Sequence, residues 1–131
     1  MKYLLVLFLA ACSSQTRAPS SKNEFRIGPS EGGSEIVALL QPVLHGDLVT
    51  GVVDCHSGFD MNPTACDLFN TDGSPGPRVV KEAAQKLWRR LNAVKLKAYP
   101  NGALDESEID AIRCTPEGDC VVRVTPAGGA A

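Results

Sequence analysis

Apolar residues fall unevenly along this chain, and their spacing predicts the elements of a small mixed domain. An unbroken apolar run covers Leu4 to Leu9, after which Ser13 to Gly33 alternates Ser, Gly, Pro and charge with scattered apolar residues. Ile36-Val37-Ala38-Leu39-Leu40 fits either a helix capped by Ser34 or a buried strand, since a run this short has no decisive period; the strand is the reading adopted. Leu48 to Val53 is rich in β-branched residues and reads as a second strand, closing a hairpin that ends at Cys55. From His56 to Pro77 turn-forming residues dominate, with Phe59, Leu68 and Phe69 as inward anchors, and the segment reads as a long loop. Val80, Ala84, Leu87, Leu91 and Val94 recur at helical spacing, which predicts an amphipathic helix over Pro77–Val94 with Pro77 in its first turn. Asp105 to Glu108 reads as a short helical turn. Ile109–Cys114 and Cys120–Thr125 flank Thr115-Pro116-Glu117-Gly118-Asp119 and form a hairpin. The expected class is α+β: a small disulfide-stapled domain over residues 34–126, one amphipathic helix packed on a few antiparallel strands.

The amino-terminal run changes the picture from fold to address. Lys2, the apolar stretch and the small residues Ala10 and Ala11 have the layout of a secretory signal. At about half the roughly 20 residues a spanning helix needs, the run is too short to be a transmembrane segment. Leu9-Ala10-Ala11-Cys12 resembles the lipobox of bacterial lipoproteins. The resemblance covers only the first dozen residues. It implies cleavage after residue 11 and acylation of Cys12, with the mature protein held by membrane lipid. Burial of acyl chains at about 0.8 kcal/mol per methylene makes an anchor of two or more chains firm. In such lipoproteins of Gram-negative hosts, an Asp after the modified cysteine favours inner-membrane retention. Ser13 occupies that place, so the resemblance implies the outer membrane, facing the periplasm. Residues 12–33 then form a tether, and residues 127–131 a frayed tail.

Charge excludes one class of partner. The chain carries 13 basic and 15 acidic side chains, and removal of Lys2 with the signal makes it slightly more acidic. Nucleic-acid binding needs clustered cations in excess, so no nucleic acid is expected. The cations that do cluster are Arg78, Lys81, Lys86, Arg89, Arg90, Lys95 and Lys97, against Glu82. That basic face suits anionic lipid or an acidic partner, or it is a solvated surface. Arg89 and Arg90 are its central candidates.

Cys55, Cys66, Cys114 and Cys120 are an even set in a chain sent to an oxidising compartment, which predicts two disulfides. Of the three pairings, Cys55–Cys66 and Cys114–Cys120 are favoured because each is local. Short loops of this kind contribute roughly 2–3 kcal/mol each in the chain-entropy model.

Candidate chemistry is sparse. Gly28-Pro29-Ser30-Glu31-Gly32 matches the Gly-x-Ser-x-Gly pattern but lies in the expected tether, away from the strand and helix that a nucleophile elbow requires. The cysteine and histidine spacings suit no zinc site, and Asn70-Thr71-Asp72-Gly73 lacks the first and last ligands of a calcium loop. No metal or cofactor is expected. His56, beside Asp54 and Asp60, is the one cluster with residue types for general acid/base work. The candidate binding residues are therefore His56 and Asp60 in the long loop, Arg89 and Arg90 on the helix, and Glu117 and Asp119 at the hairpin tip. The reading is a non-enzymatic binding or structural accessory of the envelope, with an envelope protein or peptidoglycan as partner. The alternative is a small periplasmic enzyme or inhibitor using the His56 loop.

Overall fold

A computed structural model describes residues 23–57, 63–100 and 107–126. The expected signal, Cys12, most of the expected tether, Phe59, Asp60, Asp105 and the expected tail lie outside them. The described chain runs β1 (Glu24–Ile27), a 3-10 turn (Pro29–Glu31), α1 (Gly33–Leu40), β2 (Leu48–Thr50), β3 (Val53–Ser57), β4 (Pro63–Phe69), β5 (Pro75–Val80), α2 (Lys81–Ala98), β6 (Ser107–Cys114) and β7 (Cys120–Pro126). The class is α+β, with two helices and seven antiparallel strands ordered β1-β7-β6-β3-β4-β5, and β2 also beside β6.

Both helices cover one face of this sheet. Alternation along each strand delivers the apolar residues: Val122 and Val124 of β7, Ile109 and Ile112 of β6, Leu68 and Cys66 of β4 and Val79 of β5 are buried. They meet Ala84, Leu87, Leu91 and Val94 of α2 and Ile36, Val37 and Leu40 of α1. Leu48, Thr50 and Val53 oppose Cys114, Ile112 and Ile109 in constant register, so β2 and β3 are two segments of one interrupted strand. The interruption is at Gly51. A Cβ there would stand 2.7 Å from the Asn70 carbonyl oxygen, and its N–H donates to the Phe69 carbonyl at 2.7 Å. The Thr50 hydroxyl donates to the same carbonyl at 2.9 Å, which satisfies a side chain buried among apolar neighbours.

Several expectations need correction. Ile36–Leu40 is helical, not a strand, because Ile36, Val37 and Leu40 share one buried face while Ala38 is exposed. There is accordingly no hairpin between that segment and Leu48–Val53. The expected loop from His56 to Pro77 is largely β4 and β5; its turn-prone composition hid the alternation of buried Leu68 and Cys66 with half-buried Asp67 and Phe69. The long helix starts at Lys81 and runs to Ala98, since Pro77 belongs to β5 and the chain reverses sharply at Lys81, whose φ of 58° is left-handed. The domain also begins earlier than residue 34, because β1 pairs Glu24–Ile27 with Arg123–Cys120. Ser107 and Glu108, read as the end of a helical turn, open β6.

The start of α1 is locked against the β6–β7 hairpin. A Cβ on Gly33 would lie 1.8 Å from the Gly118 carbonyl oxygen and 2.8 Å from that of Gly28. Gly118 itself has φ 105°, where a side chain is strained. Two substitutions follow. Gly33→Ala gains up to about 1 kcal/mol of helix propensity where space allows, yet here it lowers the urea midpoint, because backbone must move to admit the methyl. Leu87→Ala, at a fully buried site, lowers stability by about 2–5 kcal/mol in the same unfolding measurement.

Candidate binding face

The face of the sheet away from the helices bears two polar groupings. In β3–β5, register sets Asp54 opposite Asp67 and Asp67 opposite Arg78. His56 Nε2 lies 2.6 Å from Asp67 Oδ2 and 4.0 Å from Asp54 Oδ2. Arg78 donates through Nε to Asp67 Oδ1 at 2.6 Å and through Nη2 to Oδ2 at 3.4 Å. The hydrogen bonds from Arg78, and then from His56, hold the Asp67 carboxyl below the usual carboxylate range, outweighing its desolvation. An ionised carboxylate accepts only, so Nε2 of His56 carries the shared proton. A nucleophilic site would need a hydroxyl or thiol bonded to the imidazole; among the described residues none is. The cluster is an exposed ion-pair row that fixes the His56 ring against the sheet.

The second grouping crosses β1, β7, β6 and β2. Arg26 and Arg113 flank Val121, and Val49 lies on the far side of Arg113 in register. A groove of about 750 Å³ runs over these residues to the disulfide-closed hairpin, where Thr115, Pro116 and Asp119 form its rim. Arg123 is engaged by Glu24 at 3.7 Å and Asp110 at 3.8 Å. Arg26 and Arg113 make no ion pair with any described residue, and both are exposed. Such guanidiniums offer forked donors to carboxylate or carbonyl groups, and the two valines offer apolar contact between them.

The sequence candidates do not converge. His56 belongs to the ion-pair row, with Asp67, which was not singled out, and Arg78, which was expected on the basic helix but lies in β5, as partners. Arg89 and Arg90 are exposed on α2, where Arg90 pairs with Glu35 of α1. Glu117 and Asp119 are exposed at the hairpin tip, Asp119 alone lining the groove. The structure joins Cys55 to Cys66 and Cys114 to Cys120, each pair directly opposite across neighbouring strands. Arg26, Arg113 and Val121 were missed; the alternation in Cys120–Thr125 carries Val121 outward, but nothing local distinguishes Arg26 within a segment read as tether. Among the described residues no cluster of His, Cys, Asp and Glu suits a metal, and no helix is long and apolar enough to cross a membrane. No family model, curated protein or solved structure matches the chain.

The Asp67 row is testable by pH. Because the folded-state value is depressed, the stabilisation is present above the unfolded carboxyl value and is lost as pH falls through the folded one. Carboxyl-carbon NMR of the wild type is expected to show Asp67 titrating below the ordinary range. Arg78→Ala moves that midpoint upward, and by more than His56→Ala does. The stability deficit of Arg78→Ala at neutral pH closes in acid.

Proposed function

We propose that this chain is an envelope lipoprotein, anchored through acylated Cys12 to the outer membrane and facing the periplasm, which binds a partner rather than transforming a substrate. The observation that carries the reading is the groove across β1, β7, β6 and β2, with Arg26 and Arg113 on either side of Val121 and neither in an ion pair among the described residues. A sheet face that neither helix covers, lined by two arginines without an ion pair among the described residues and by two valines, together with Glu24, Asp47 and Asp119, has the chemistry of a docking surface. A partner presenting carboxylates beside apolar side chains suits it, which describes an envelope protein or the stem peptides of peptidoglycan. The signal and lipobox supply the address; the disulfides fit an oxidising compartment. The hydrogen-bonded His56–Asp67 pair is the observation that favours an enzyme or inhibitor instead. In that reading His56→Ala abolishes activity with the fold intact.

Two measurements test the proposal. Intact mass of the protein from its native host is expected to show an acylated Cys12, with the other four cysteines reacting with alkylating reagent only after reduction. A photo-crosslinking residue at Val121 yields a defined adduct in intact cells, whereas one at Val80, exposed on β5, does not. An unmodified terminus removes the anchor, and equal or absent crosslinking at both positions removes the groove.

A further inference from the structure

The outer face of α2 has no role in the groove and is not explained by packing. The helix buries Ala84, Leu87, Leu91 and Val94. Away from that face Lys86, Arg90, Ala93 and Lys97 recur at spacings of four, three and four, with Arg89 beside them, forming a single exposed stripe. Leu96, 51% exposed, adjoins it. One acid of the helix, Glu82, shares this face, and Glu31 lines a cavity with Arg90 and Lys97. Arg90 is engaged by Glu35, whereas Lys86, Arg89 and Lys97 have no ion-pair partner among the described residues.

We infer that this face is a docking surface for a bilayer containing anionic phospholipid. Three observations on the molecule single out lipid as the occupant. The first is charge: three free cations project from one side of a helix that also exposes a leucine, the composition of a helix lying in a headgroup layer. The second is where the chain enters the fold. β1 is the first described strand, and its Arg26 and Ile27 line a small cavity with Glu31 and with Arg90, Ala93 and Lys97 of α2, so β1 begins at Glu24 only two residues, about 7 Å along the strand, before it meets the basic stripe.

The third is reach, and it rests on the lipid-anchor reading. The 11 residues numbered 12–22 extend at most about 40 Å even when fully stretched. A domain of about 100 residues has a radius of gyration near 13 Å. An anchored domain therefore stays within a few radii of the bilayer, and contact becomes an intramolecular event with a high effective concentration. Few charges then suffice. With α2 against the lipid, the sheet lies between helices and periplasm, and its open face is presented outward to a partner.

The test separates docking from anchoring. The chain from Ser13 onward, carrying an amino-terminal hexahistidine tag, is held on vesicles by a nickel-chelating lipid, so that tethering does not depend on acylation. The vesicles are phosphatidylcholine alone or phosphatidylcholine mixed with phosphatidylglycerol. Lysine acetylation is mapped by mass spectrometry. Lys86 and Lys97 are expected to react several-fold more slowly on the anionic vesicles, while Lys81, which projects from another side of α2, is unchanged. In about 1 M salt, where the Debye length falls to about 3 Å, the protection disappears. Equal reactivity of Lys86 and Lys97 on both vesicles overturns the proposal and leaves an acidic protein as the occupant of this face. Equal protection of Lys81 overturns it as well, because the effect is then not confined to the stripe. The mass of the native protein reports acylation independently of either result.

Discussion

Side chains along a strand alternate between faces, so a strand whose apolar residues change parity midway must shift register or bury the wrong set. β6 is such a strand. Ile112 and Cys114 face the helices, and so does Ile109, an odd number of residues away. The chain resolves the conflict with a bulge between Ile109 and Ala111 opposite β7, and with the break at Gly51 between β2 and β3 on the other side. Both irregularities occur at the same level of the sheet. Remove either and half of the central strands would turn their apolar residues to water. The two helices, the core and the polar outer face all presuppose that compensation.

Once one face is reliably apolar, two helices suffice to cover it, and neither remains to shield the other side. The outer face must then be kept soluble by charge, and it is: the Asp54, His56, Asp67 and Arg78 row over β3–β5, and Arg123 held between Glu24 and Asp110. Exposed ion pairs of this kind add little stability. Their structural effect is to fix long side chains in place, while on this face Arg26 and Arg113 make no ion pair among the described residues. The disulfides act at the margins of this arrangement, each spanning a directly opposed cross-strand pair, so they reinforce pairing that the ladder already specifies.

What could be read from the sequence follows the strength of each periodic signal. The β6–β7 hairpin and most of α2 were legible because Cys120, Val122 and Val124 alternate cleanly and Leu87, Leu91 and Val94 recur at helical spacing. The β4–β5 hairpin was not, because Pro63, Asn70, Asp72, Gly73, Pro75 and Pro77 outweigh the short alternation at Ala65–Phe69. β1 was hidden for a related reason. Four residues with one fully apolar pair, Phe25 and Ile27, make no signal until β7 is present to receive them. The disulfide pairing was legible because short spacing favours local closure, whereas the groove was not, since Arg26 and Arg113 lie 87 positions apart and meet only through the β1–β7–β6 order.

Pro75 and Pro77 also have a bearing on how copies of this protein coexist. β5 is the last strand of the sheet on that side, and two of its six residues lack an N–H. An edge so interrupted offers a poor template for a second chain. At the opposite end β1 spans four residues and gives way at once to the 3-10 turn. Neither border of the sheet therefore invites strand-to-strand annealing, and many copies can crowd together without polymerising edge to edge.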